Sequence, residues 1–228
     1  MMSKSIRMTI ISLAIVGLMA AGAAVFSGVI PGVTAAEKDT SAVHDFKGEG
    51  DVSIMNPKDR GTSDLVRSLT GVHMNIDTTD LPIGSYTVWW VVFNNPDGCS
   101  DGACGINDTG RAMDGPNVAE GSVLWATGGI VGPDRMGHFS ASLGLGEDAA
   151  PGPLLRGPAL TNPMGAEIHM VIRYHGPTDW SDYAVLGRQI STLGESCTKA
   201  THGSDSGTFA CFDPQASAHF PAGGSMSP

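Results

Sequence analysis

Apolar and polar side chains alternate in several short stretches of this chain, and almost nowhere do apolar positions recur at helical spacing. In residues 70–76, Val72, Met74 and Ile76 are separated by His73 and Asn75, the two-residue period of a half-buried strand. In residues 165–174, Ile168, Met170, Ile172 and Tyr174 share one parity, while Glu167, His169, Val171 and Arg173 share the other. Residues 86–93 read Tyr-Thr-Val-Trp-Trp-Val-Val-Phe, a continuous run of β-branched and aromatic residues. Such a run predicts a central strand covered on both faces. Residues 122–131 and 137–143 predict two further strands, separated by Gly132-Pro133-Asp134. Residues 185–193 read as the last strand. The polar stretch 37–47 reads as a linker or first edge, and the proline-rich stretch 151–163 as a long connection.

The chain holds 31 Gly and 14 Pro in 228 residues, too many for a helical bundle or coiled coil. At 41% hydrophobic and 16% charged it is also too apolar for a disordered tail. Short strands and frequent turns predict an all-β protein, an antiparallel immunoglobulin-like β-sandwich with long Gly/Pro-rich loops. The expected organisation is a signal peptide or N-terminal anchor over 1–35, a polar linker or first edge over 36–60, a single sandwich domain over 61–220, and a disordered tail over 221–228. No repeat at a solenoid or propeller period is visible.

Leu81-Pro82-Ile83-Gly84-Ser85-Tyr86 forms a corner before the central strand. It resembles the corner of fibronectin type III and immunoglobulin-like modules, whose tyrosine bonds its hydroxyl back to the loop. The likeness covers about 20 residues and concerns architecture. Over residues 65–220 the chain also resembles a family of exported bacterial β-sandwich proteins. The residues that carry this likeness are the 86–96 core Tyr-Thr-Val-Trp-Trp-Val-Val-Phe-Asn-Asn-Pro, the nearby Cys99/Cys104 pair, and the Ala166-Glu167-Ile168-His169 strand that ends in His175-Gly176-Pro177. The resemblance implies export and a sandwich, and it carries no activity.

Lys4 and Arg7 precede a stretch, residues 8–30, without a charge, followed by Val33-Thr34-Ala35, small residues suited to a signal peptidase. Gly17, Gly22, Gly28 and Pro31 weaken the competing reading as a membrane-spanning anchor. The expected location is therefore secreted, periplasmic or cell-envelope, with membrane contact only through residues 8–30 if they are retained. Residues 1–35 contain two of the 13 basic residues and none of the 23 acidic ones, so the remainder carries 11 against 23, a net charge of −12. That balance argues against nucleic acid as a partner. The four cysteines, Cys99, Cys104, Cys197 and Cys211, permit three pairings. Each neighbouring pair brackets a turn-rich stretch, so an oxidising compartment favours 99–104 and 197–211. A four-cysteine zinc site is the alternative, and its commonest two-residue ligand spacing is absent.

Candidate chemistry is sparse. His169 and His175 lie on one predicted strand with Arg173 between them, and His138 opens a strand expected to be its neighbour. Imidazoles on adjacent strands suit copper or zinc. Six residues of regular strand, however, span about 20 Å, so His169 and His175 share an ion only if the chain bends near Tyr174. Glu167, His169, Arg173 and His175 form the densest polar face, which reads as the solvated side of a sheet or as a site for a small anion or metal. Asp97, Asp101, Asn107, Asp108 and Asp114 crowd one loop; calcium would suit them, as would plain turn chemistry. Gly98-Cys99-Ser100-Asp101-Gly102 matches a nucleophile elbow by letter, but no helix is expected after it. Gly144-Leu145-Gly146 mimics a dinucleotide fingerprint, but Pro151 and Pro153 stand where its helix should run. Trp89, Trp90, Trp125 and Trp180 could line a sugar platform, although the first two belong to the central strand. The leading expectation is an exported, non-catalytic binding or structural module of unknown ligand or protein partner. The alternative is a copper or zinc metalloprotein with a histidine site, open to redox chemistry.

Overall fold

The computed structural model describes residues 36–46, 58–100, 104–109, 117–146, 154–194, 196–197 and 211–221. All of them fall in the unit Thr34–Pro228. The expected signal peptide or anchor, most of the predicted tail, and part of the 36–60 linker lie outside the described residues. Among those described, no helix is long and apolar enough to cross a membrane.

Among the described residues the protein is all-β, with eight long strands and one three-residue strand. They are β1 (Glu37–Asp45), β2 (Asp59–Ser68), β3 (Gly71–Thr78), β4 (Gly84–Phe93), β5 (Gly121–Val131), β6 (Gly137–Gly144), β7 (Leu154–Arg156), β8 (Glu167–Gly176) and β9 (Phe212–His219). The described residues also form one α-helix, α1 (Tyr183–Gln189), between β8 and β9, with 3-10 turns at Pro96–Gly98 and Ile106–Thr109. Every pairing is antiparallel, and one continuous sheet runs β6-β3-β2-β1-β9-β8-β4-β5-β7. The hairpin partners β5 and β6 stand near opposite ends of this order yet pack against each other. The sheet therefore curls into a nearly closed barrel. This corrects the expected sandwich: alternation reports one buried face per strand, and a closed sheet satisfies it as well as two stacked sheets do.

Antiparallel partners share a face, so the register identifies the inward side chains. Tyr86, Val88, Trp90 and Val92 of β4 face in with Tyr174, Ile172, Met170 and Ile168 of β8. Val72, Met74 and Ile76 of β3 join Leu143 and Phe139 of β6. Tyr86 packs on Tyr174 at 5.0 Å between ring centroids and on Phe139 at 6.3 Å. β4 is buried on both faces, as its unbroken apolar run predicts: Trp89 and Trp90 are 1% and 0% exposed. The corner has its expected bond, with the Tyr86 hydroxyl donating to the Pro82 carbonyl at 2.5 Å. Gly84 (φ 150°) makes that corner possible, because a Cβ there would collide with the Gly176 carbonyl of β8.

Two further readings change. Residues 183–189 are helical where 185–193 read as a strand. Asp182 caps this helix by accepting from the amides of Ala184 (2.8 Å) and Val185 (3.2 Å). The fully buried Gln189 then fastens it: its amide donates to the Pro177 carbonyl at 3.0 Å and its Oε1 accepts from the Asp179 amide at 3.0 Å. The stretch read as linker or first edge holds β1, an interior strand between β2 and β9. The strands β2 and β9 complete the barrel; their inward positions include Ser63, Arg67, Gln215, Ser217 and His219, and so their periodicity is hidden.

Candidate functional site

The outward face of β8 carries the residues singled out from sequence, and the structure buries that face. Glu167 and His169 are neighbours on one side of the pleat, with His169 Nε2 2.6 Å from Glu167 Oε1. Their side chains are only 10% and 4% exposed. The Phe93 ring meets the His169 imidazole edge-on at 5.2 Å. Phe93 itself packs with Val91, Ala119 and the Cys99–Cys104 cystine, which covers this end of the sheet.

Toward the other end of β8, Arg173 sends one terminal nitrogen to both carboxylate oxygens of Asp213, at 2.8 and 3.0 Å. It also donates to the carbonyls of Leu193 (2.5 Å) and Cys211 (3.3 Å). His175 is fully buried; Nε2 lies 2.9 Å from Thr87 Oγ1 and Nδ1 lies 3.2 Å from Cys211 Sγ. The segment around α1 covers this half: Trp125 Nε1 donates to the Ile190 carbonyl at 3.2 Å. Gly128 lets that carbonyl approach, since a Cβ there would strike it. The second cystine, Cys197–Cys211, closes over the same end. Both cystines follow the local pairing expected from sequence, with Cα–Cα distances of 4.9 and 5.3 Å.

This face, read as the solvated side of a sheet or as a site, is therefore covered at one end by Ala119 and the Cys99–Cys104 cystine and at the other by the segment around α1 and the Cys197–Cys211 cystine. The strand order separates His138 from the others, because β6 is not adjacent to β8. His138 is exposed and its Nδ1 lies 2.6 Å from Asp77 Oδ1. In the acidic loop, Asp101 and Asp114 lie outside the described residues. The Asp108 carboxylate accepts from the amides of Ser100 and Gly105, both at 2.8 Å, which is turn chemistry. Trp89 and Trp90 are core, whereas Trp180 is 65% exposed.

A second polar set, not foreseen from sequence, lies inside the barrel. The β1–β9 ladder consists of two pairs, His44↔Ala216 and Asp45↔Gln215. Beyond them, side chains bridge the seam. His219 Nδ1 is 2.8 Å from Asp39 Oδ2 on β1, and its Nε2 is 2.9 Å from Ser63 Oγ on β2. This is the connectivity of a serine-histidine-aspartate relay. Ser63 and His219 are both 0% exposed, however, so no substrate carbonyl reaches the hydroxyl, and the chain of bonds ties three strands together. Burial pulls the His219 pKa below its usual value, against the opposing pull of Asp39.

Arg67, 1% exposed, lies in the same interior and donates to the carbonyls of Pro163 (2.9 Å), Ala166 (2.8 Å) and His219 (3.4 Å). Its Nε and the Ser217 hydroxyl are buried without a protein partner. Burial also pulls the Arg67 pKa down, offset by Asp39 and Glu37. Gln215 completes the set, accepting from Thr78 Oγ1 at 2.5 Å and donating to the Thr79 carbonyl at 2.8 Å.

No family model matches this chain, and no curated protein matches it. The paired cystines fit an oxidising compartment.

Proposed function

We propose that this chain is an exported, non-catalytic binding or structural module, a barrel stabilised for life outside the cytoplasm. One observation carries the reading: the side chains that would perform chemistry on β8 hold the fold's own elements together. Glu167 and His169 satisfy each other under the first cystine loop, and Arg173 binds Asp213 and two backbone carbonyls. The relay-like Asp39–His219–Ser63 chain is internal in the same way. Buried polar groups need such partners, so each of these bonds has a structural reason. The local cystines and the charge-free stretch near the N-terminus support export.

The test is elemental analysis of the untagged, exported protein with both cystines intact. The reading expects a folded protein without stoichiometric transition metal. One equivalent of copper or zinc would overturn it in favour of a metalloprotein. Among the described residues one feature favours that second reading, the imidazole of His175 beside the Cys197–Cys211 cystine.

A further inference from the structure

His175, Cys197 and Cys211 bring one imidazole nitrogen and two sulfurs within 4.8 Å of one another. They come from three parts of the chain: β8, the segment after α1, and the residue before β9. Two thiolates and an imidazole are a zinc donor set, the three-ligand arrangement that leaves a fourth position to water. Tetrahedral geometry at ordinary bond lengths asks for about 3.6 Å between nitrogen and sulfur and about 3.8 Å between sulfurs. The 3.2 Å from His175 Nδ1 to Cys211 Sγ is already close to the first of these distances.

The two nitrogens of the His175 ring face different elements. Thr87 Oγ1 accepts from Trp89 Nε1 at 2.8 Å and donates to the Thr192 carbonyl at 3.5 Å. The same oxygen lies 2.9 Å from His175 Nε2. Nδ1, on the other side of the ring, faces Cys211 Sγ. With a metal ion on Nδ1, the Nε2–H would donate to Thr87 Oγ1, and an oxygen in that place is what orients metal-bound imidazoles.

We propose that the Cys197–Cys211 cystine is the closed form of a reductant-gated zinc site whose third ligand is His175 Nδ1. A dithiol reductant supplies two electrons and two protons; the protein S–S bond breaks into two thiols and the reductant becomes a disulfide. Zn²⁺ then displaces both thiol protons and binds two thiolates and the imidazole. In the oxidised protein the site is shut, so this proposal is independent of the absence of metal expected above.

The experiment uses the full exported protein carrying Cys99→Ser and Cys104→Ser, so that one cystine remains. Zn²⁺ is titrated against a chromophoric chelator, before and after reduction with a phosphine, with circular dichroism and melting recorded in parallel. The proposal expects no Zn²⁺ uptake when oxidised, one equivalent when reduced, and a higher melting temperature of the reduced form with Zn²⁺. Adding His175→Ala should weaken binding at least tenfold. Co²⁺ in place of Zn²⁺ provides a readout without that variant: it should give thiolate-to-cobalt charge-transfer absorption in a folded protein. Absence of uptake after reduction, uptake indifferent to His175, or a reduced protein that stays unfolded with Zn²⁺ present would each overturn the proposal. Stoichiometric uptake by the oxidised form would overturn both this proposal and the binding-module reading.

Discussion

Lowering the pH from 8 to 5 should destabilise the barrel through His219. This imidazole is wholly buried, and burial lowers its pKa in the folded protein below the 6.5 of the unfolded chain. As the pH falls through 6.5 the unfolded chain takes up a proton that the native state still refuses. Stability is therefore full above the unfolded value and declines below it, until the native imidazole also protonates. One proton of difference sets the steepest slope this residue can contribute, about 1.4 kcal/mol per pH unit. Asp64 does not confuse that window. Its carboxyl is held below its usual range first by the Thr40 hydroxyl and then by Lys38, so its contribution is lost only as the pH falls below about 3.8. The assay is urea unfolding followed by tryptophan fluorescence at several pH values, in wild type and His219→Gln, cystines intact. Glutamine does not titrate, so the variant should show a shallower decline between pH 6.5 and 5. Parallel curves for the two proteins would refute the assignment of this slope to His219.

Substitutions on β8 and β6 should separate buried from exposed polar groups. His169→Ala leaves Glu167 without its partner under the cystine loop and should cost about 2–4 kcal/mol, whereas His138→Ala on the exposed face should stay within ~0.5 kcal/mol; equal effects in urea unfolding would contradict the burial described. Asp182→Ala should cost about 1 kcal/mol by removing the cap of α1, read from the same unfolding curves. Tyr86→Phe deletes the corner hydroxyl bond to Pro82 and should cost about 1 kcal/mol, measured as a fall in thermal midpoint. Replacing Cys197 and Cys211 by serine frees a 14-residue separation and should cost roughly 3 kcal/mol, more than the same change at Cys99 and Cys104, which are five residues apart.

Strands whose inward side chains are apolar were legible in the sequence. Val72, Met74 and Ile76 betray β3, and Ile168, Met170, Ile172 and Tyr174 betray β8, because nothing polar interrupts their inward parity. The same logic hides β2 and β9, where Ser63, Arg67, Gln215, Ser217 and His219 face inward. Residues 185–193, read as the last strand, are helical as far as Gln189, where a side-chain cap at Asp182 starts α1. Closure of the sheet was illegible for a different reason. Whether strands close on themselves depends on which edges meet, and periodicity along one strand carries no such information. At the candidate site, the parity of Glu167, His169 and Arg173 was readable. Their covering was not, because the residues that cover them meet β8 from far along the chain: Asp213 of β9, Leu193 and the Cys99–Cys104 cystine. The Asp39–His219–Ser63 bonds span separations of 180 and 156 residues, beyond any spacing rule.

The claim that these polar groups serve the fold and not a bound ion is tested most directly by long-range proton–nitrogen correlation of the histidine rings. Spectra of the oxidised protein would be recorded with and without one equivalent of Zn²⁺. The account predicts ring nitrogens of His169, His175 and His219 that keep their positions, with any weak, unsaturable movement confined to exposed imidazoles such as His138. A stoichiometric shift of the His169 or His175 ring nitrogens, with both cystines intact, would contradict it.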